Sequence, residues 1–213
     1  MVSIKICGLT SLDDARRAVE LGADYLGFVL YRKSPRYVPA PRLQAIAEAL
    51  PERARMVGVF VNEAPAIVRQ LAHACRLHAV QVHGDEDAGD FGGMPVPVWR
   101  AVRLVEGRWT PDPAAWSVDR YVMDATTTEY GGSGVRVDWD EAAGFAHARR
   151  AMLAGGLDAT NVAEAIRRVR PLGVDVASGV ESGPGVKDPR KVAAFIEAAR
   201  AAGKTLGMME EMS

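Results

Sequence analysis

Residues 151–182 read AMLAGGLDATNVAEAIRRVRPLGVDVASGVES. Two short runs, Ala151–Leu153 and Val174–Ala177, are apolar on both faces apart from Asp175. A strand covered by helices on each side needs that pattern. Between the runs, Val162, Ala165, Ile166 and Val169 recur at helical spacing, and Pro171 closes the helix. A glycine loop follows each run: Gly155-Gly156 after the first, Ser178-Gly179 after the second. The stretch is therefore strand, loop, helix, strand, loop, the repeating unit of a parallel α/β fold.

The same unit recurs along the whole chain. Further strand-like runs are Ser3–Cys7, Tyr25–Leu30, Met56–Val61, Ala79–Val82, Val96–Val102 and Arg120–Met123. The first helix opens at Ser11, with Asp14 three positions on, and Gly22 suits a left-handed end. Leu43, Ile46, Ala47 and Leu50 stripe the second helix; Ile67, Val68, Leu71 and Cys75 stripe the third. Asp188-Pro189 caps a last helix over Arg190–Ala202. Weakly patterned helices are expected near Asp85–Gly92 and Trp109–Ser117. About eight units fit the 213 residues, which points to a closed (β/α)₈ TIM barrel in the α/β class. A doubly wound open sheet is the runner-up, and periodicity does not separate the two. No linker divides the chain, so residues 1–206 form one domain and 207–213 a C-terminal tail.

Composition narrows the function classes. The formal net charge is −1, without the basic excess of a nucleic-acid binder. No apolar run reaches the roughly 18 residues of a membrane span, and no basic-then-apolar N-terminal leader is present. Two cysteines, Cys7 and Cys75, are too few for a disulfide framework, and no Cys/His spacing suggests a metal. These features describe a cytoplasmic protein without a metal cofactor.

Alternation along strands picks out the polar groups that face inward. Ile4 and Ile6 should meet the helices, and Lys5 and Cys7 the barrel interior. Gln81 and His83 share one face; Asp124 ends the run RYVMD; Asp175 interrupts Val174 and Val176. These groups lie mostly toward the C-terminal ends of strands, where barrel active sites sit. Cys7 in isolation reads as core filler, but its place at a strand end before Gly8-Leu9-Thr10 makes it a candidate nucleophile or base. Cys75 falls on an apolar helix stripe and reads as core. Lys5 and Asp175 read as an ion pair between the first and last strands. His83 reads as a pocket residue, and His73, His78 and His147 as surface residues.

Two anion sites are expected at the mouth. Gly155, Gly156, Ser178 and Gly179 lie in the loops after the seventh and eighth strands, where barrels commonly hold phosphate on backbone N–H groups. Thr126–Gly134 is a further glycine-rich loop. Arg32-Lys33-Ser34-Pro35-Arg36 follows the second strand, and a guanidinium there can grip a carboxylate. The pattern asks for a small molecule with a phosphate at one end and a carboxylate at the other.

The stretches KICGLT, GADYLGFVLYRKSPRYV, VGVFVN, VQVHGDE, MDA with GGSG, LAGGL with NV, and DVASGVESGPGVKD together resemble the phosphoribosylanthranilate isomerase family of tryptophan biosynthesis. They occur in the family's order over nearly the whole chain. The resemblance implies a (β/α)₈ barrel and an Amadori rearrangement of an aminoaldose to an aminoketose, with no cofactor and no metal. It implies Cys7 as general base and Asp124 as general acid, which calls for a lowered thiol pKa and a raised carboxyl pKa. It also implies Arg36 on the anthranilate carboxylate, the two glycine loops on the phosphate, and His83 in support. Asp158 stands where the family often has asparagine, and either residue can cap. The isomerase of histidine biosynthesis is the nearest rival, but its resemblance pairs two aspartates, and Cys7 favours the anthranilate substrate. Neither nucleic acid nor membrane is expected as a partner. Monomer and homodimer are both open.

Overall fold

The structure, a computed structural model, describes residues 2–124 and 139–211, with side chains up to residue 207. The loop Thr126–Gly134 lies outside the described residues. Eight parallel strands close on themselves: β1 (Ser3–Ile6), β2 (Tyr25–Val29), β3 (Met56–Phe60), β4 (Ala79–Val82), β5 (Val98–Val105), β7 (Arg120–Asp124), β8 (Ala151–Leu153) and β9 (Gly173–Val176). β1 pairs with β9 on one side and β2 on the other, and β4 pairs with β5, so no barrel edge is left open. The fold is a single-domain (β/α)₈ barrel, and the open sheet is excluded.

Helices α1 (Leu12–Glu20), α2 (Ala40–Ala49), α3 (Pro65–Ala74), α4 (Trp139–Ala148), α5 (Val162–Val169) and α6 (Pro189–Glu211) cover the outside. Ser11 caps α1 by accepting from the Asp14 amide at 3.1 Å, a contact that contributes about 1 kcal/mol. Gly22, at φ +94°, makes the expected left-handed exit. All four stripe residues of α5 are fully buried. The stripe of α3 is rotated from expectation: Val68, Ala72 and Cys75 are buried, whereas Ile67 is 41% exposed. Asp188 caps the last helix through the amides of Arg190 and Lys191. That helix continues to Glu211, well past Ala202.

Two expected helices do not form. After β4 there is only a 3₁₀ turn, Ala88–Phe91, capped by Asp87. Instead of a helix at Trp109–Ser117, the chain forms β6 (Arg108–Thr110), antiparallel to β5. Glu106 and Gly107 both have positive φ, the requirement of a tight hairpin turn. Pro111 and Pro113 then forbid a continuous helix.

The barrel interior is packed in layers. Tyr25, Val57, Ala79, Trp99, Val122, Met152 and Ala154 form an inner apolar cluster, separate from the main core under the helices. The Arg120 guanidinium lies over the rings of Trp99, at 4.4 Å, and Tyr25, at 5.1 Å. Elsewhere the filling turns polar, with Lys5, Gln81 and Asp175 all buried.

Candidate active site

Alternation places the first strand as the sequence requires. Ile4 and Ile6 join the core under the helices. Lys5 points inward, fully buried, and its Nζ donates to Asp175 Oδ2 at 2.8 Å and to Gln81 Oε1 at 3.0 Å. Lys5 and Asp175 are direct neighbours in the β1–β9 register, so the expected pair forms. Burial opposes the Lys5 ammonium, but Asp175, with Cys7, outweighs it and holds the group well above its ordinary range.

Cys7 follows β1 at the catalytic end and is 9% exposed. Glycine makes its space: a Cβ on Gly27 would meet Cys7 Sγ at 2.7 Å and Lys5 Cε at 3.0 Å. The Lys5 ammonium, on the same strand face, favours the thiolate electrostatically. The net shift is the reverse of the one expected. Burial pushes the thiol up, Asp175 adds to this, and the opposing pull of Lys5 and Lys187 does not offset it. Desolvation of a thiolate outweighs a cation that already serves a carboxylate.

Asp124 ends β7 and is also 9% exposed. His83, just past β4, brings Nε2 to 3.1 Å from Asp124 Oδ2. That approach lies off the ring N–H axis, so among the described residues the buried Nε2 has no well-directed hydrogen-bond partner. The other ring nitrogen, Nδ1, is 3.2 Å from Gln81 Nε2. One buried polar chain therefore crosses the barrel from Asp175 through Lys5, Gln81 and His83 to Asp124. Gln81 had stood out in the sequence only for sharing a face with His83.

The loop that carries His83 is fixed from outside the barrel. Arg100, 1% exposed, donates to the carbonyls of Val82 and Gly84 and to Glu86 at 2.9 Å, and lies 4.6 Å over the Trp116 ring. Glu86 in turn accepts from the amides of Asn62 and Gly84. Nothing in the sequence pattern singled out Arg100 or Glu86; a charged residue inside the apolar run VPVWRAV was the only signal.

Arg36 reaches the mouth and is tethered there. Its Nε and Nη2 donate to the two carboxylate oxygens of Glu181 at 2.9 and 2.7 Å, and Nη1 has no partner among the described residues. Lys187 Nζ also donates to Glu181, at 2.7 Å. Burial would raise the Glu181 carboxyl, but these two cations outweigh it and hold it below its usual range. Gly8 is needed here: its φ is +72°, and a Cβ would meet Arg36 Cδ at 2.5 Å. The glycine of KICG thus makes room for the arginine of SPR.

The two glycine loops are packed against each other. Gly155 and Gly156 both have positive φ. A Cβ on Gly179 would collide with the Leu157 carbonyl, so the loops after β8 and β9 are locked together by that glycine. Asn161 stitches the first loop by donating to Gly156 O and accepting from the Asp158 amide. Among the described residues, the amides of Gly155, Gly156, Ser178 and Gly179 donate to no acceptor. Converging backbone N–H groups of this kind suit an anion.

A thiol, a carboxyl group, a tethered guanidinium and an amide cradle thus surround one mouth. Among the described residues no cluster of His, Cys, Asp and Glu could hold a metal ion. The family profile described as N-(5'-phosphoribosyl)anthranilate (PRA) isomerase matches residues 4–198. The chain belongs to this family. An N-(5'-phosphoribosyl)anthranilate isomerase of Myxococcus xanthus is 46% identical over 204 residues, which cover 93% of this chain and 96% of that protein. One from Trichlorobacter lovleyi is 46% identical over 205 residues, covering 95% and 100%. The crystal structure of phosphoribosyl anthranilate isomerase from Thermotoga maritima superposes with a TM-score of 0.86 at 40% identity, over 94% of this chain and all of that one. A family structure in complex with reduced 1-(o-carboxyphenylamino)-1-deoxyribulose 5-phosphate gives a TM-score of 0.82 at 36% identity, with 94% and 100% coverage.

Proposed function

We propose that this chain is a phosphoribosylanthranilate isomerase that converts N-(5'-phosphoribosyl)anthranilate to 1-(o-carboxyphenylamino)-1-deoxyribulose 5-phosphate, with Cys7 as base and Asp124 as acid. The observation that carries the reading is the placing of Cys7 and Asp124 at one mouth, above a polar chain that runs from Asp175 through Lys5, Gln81 and His83 to Asp124, in a barrel of this family. Asp124 gives a proton to the furanose ring oxygen, the C1–O bond breaks, and a Schiff base forms. Cys7 takes the proton from C2, and the electron pair moves into an enolamine that tautomerises to the ketone. The reaction is redox-neutral overall and requires no cofactor.

Arg36 serves the anthranilate carboxylate through Nη1, held in pose by Glu181. Gly155, Gly156, Ser178 and Gly179 serve the phosphate through their amides, and His83 supports Asp124. Residues 1–206 form the working barrel, so a chain ending at 206 should keep its activity. No described helix is long and apolar enough to cross a membrane, and we read the enzyme as cytoplasmic. We read its assembly as monomer or homodimer, which sedimentation at assay concentration would distinguish.

The test follows the loss of substrate fluorescence, with substrate generated in place from anthranilate and phosphoribosyl pyrophosphate by a separate transferase. Cys7→Ser and Asp124→Asn should each lower kcat by about 10²–10⁴-fold with little change in KM. Near-full turnover in either folded variant would overturn the assignment. An equal rate on the aminoaldose of histidine biosynthesis would make the enzyme bifunctional.

A further inference from the structure

The hydrogen-bond directions along the buried chain are determined at one end. Lys5 carries only donors, and its Nζ lies 3.0 Å from the Gln81 amide oxygen. Flipping that amide would set two donors face to face, so Gln81 must turn its NH₂ group toward His83. The NH₂ group also only donates. His83 Nδ1, 3.2 Å away, must therefore accept and carries no proton. The ring proton is left on Nε2, which lies 3.1 Å from Asp124 Oδ2.

We propose that Lys5 and Gln81 act as positioning residues that hold His83 as the neutral Nε2–H tautomer, and that His83 thereby dictates which oxygen of Asp124 carries the catalytic proton. This inference rests on the assignment of Asp124 as the acid. A neutral His83 matters for two reasons. An imidazolium beside Asp124 would favour the carboxylate and strip the acid of its proton. A neutral ring instead directs a single N–H at Oδ2 and confines the acidic proton to Oδ1. The present approach is off-axis, and the bond is expected to straighten when substrate binds, as catalytic hydrogen bonds often do.

The neighbouring charges fit this reading. Asp175 and Cys7 both draw on the Lys5 ammonium, which anchors its position. Arg103, beside Asp124 in the β5–β7 register, already favours the carboxylate by its charge, so a neutral His83 avoids adding a second cation with the same effect. Arg100 and Glu86 hold the loop that presents the ring.

The experiment reads the tautomer directly. Long-range ¹⁵N–¹H correlation spectra of the four histidines would be recorded at neutral pH, with His83 assigned by its absence in His83→Asn. The wild type should show one protonated and one bare ring nitrogen for His83, with the proton on Nε2. Gln81→Glu offers an acceptor to Nδ1 while keeping the bond from Lys5. It should convert His83 to the imidazolium and lower kcat by about 10-fold or more, with KM within about threefold. Gln81→Met, of similar volume and without hydrogen bonds, should leave a mixture of tautomers and an intermediate kcat; it stands in if the glutamate variant fails to fold.

An Nδ1–H or imidazolium signal in the wild type would overturn the proposal, as would a single unchanged Nε2–H signal in Gln81→Met. Unchanged kcat in a Gln81→Glu enzyme whose His83 has become imidazolium would overturn the role assigned to the neutral ring. An inactive wild type with the expected tautomer would count against the proposed reaction while leaving the chain of donors intact. The spectra and the kinetics therefore fail separately.

Discussion

Cys7 sits where two demands conflict. Burial keeps the thiol protonated, and Lys5 supplies a counter-charge that lessens the penalty without reversing it. If Cys7 is the base, as proposed, it works only when deprotonated, so kcat/KM, which reports free-enzyme groups, should rise with pH up to an ionisation above the ordinary thiol range. Lys5→Met removes the counter-charge and should move that limb further toward alkaline pH, read from a pH–rate profile on the folded variant. Gly27 is the steric counterpart. In Gly27→Ala the new methyl would press on the Cys7 sulfur from 2.7 Å; overpacking of this kind costs about 1–3 kcal/mol, and we expect kcat to fall at least about tenfold. The inward face of Lys5 was legible in the sequence, because strand alternation is a local rule, and the same rule placed Cys7 and Asp124 at strand ends near the mouth. It did not disclose the purpose of Gly8 and Gly27, because the atoms each avoids lie on other segments.

At the scale of elements, the mouth is built from loops that fix one another. Gly179 seats the loop after β9 on the carbonyl of Leu157 in the loop after β8. Gly179→Ala should push the loops apart and raise KM by about tenfold or more while the thermal midpoint falls only modestly, as measured by steady-state kinetics beside calorimetry. Glu181→Gln keeps the shape but removes the charge that Arg36 and Lys187 share; KM should rise and the buried Lys187 should destabilise the hairpin of β10 (Glu181–Gly183) and β11 (Val186–Lys187). Strong periodicity made the buried stripe of α5 legible, Val162, Ala165, Ile166 and Val169 alike. The failed helices after β4 and β5 were weakly patterned, and turn chemistry decided them: Asp87 capping one short turn, Glu106-Gly107 and two prolines setting the other. Ile67 was misassigned because an apolar residue on a helix need not lie on its buried side.

For the whole molecule, closure depends on the seam between β1 and β9, where Lys5 meets Asp175. Removing one partner leaves a buried charge, so Asp175→Asn should cost about 3–5 kcal/mol, and the double change Lys5→Met/Asp175→Leu much less; denaturant unfolding of the three proteins tests the coupling. Linkage gives the sign of a pH effect. Lys5 is held above its ordinary range, so its contribution is complete below that range and is lost as pH rises through the native ionisation. Cys7 is also raised, so the unfolded chain releases its proton first, from roughly pH 8.5 upward, and stability falls there too. Both shifts predict an alkaline decline in stability. Sequence pattern alone left barrel and open sheet unresolved, because both consist of the same local units; only the pairing of the first strand with the last tells them apart.

That seam also imposes an order on synthesis. Lys5 and Asp175 are 170 residues apart in the chain. At roughly 5–20 residues per second, a ribosome needs on the order of ten to thirty seconds between them. Throughout that interval the thiol has left the exit tunnel without the wall that shelters it, and β1 has one unpaired side. The reactive end of the enzyme is thus among the first parts made and the last to be enclosed. Pulse labelling of stalled nascent chains with a thiol reagent should show Cys7 reactive until β9 and the helix behind it have emerged, and protected afterward.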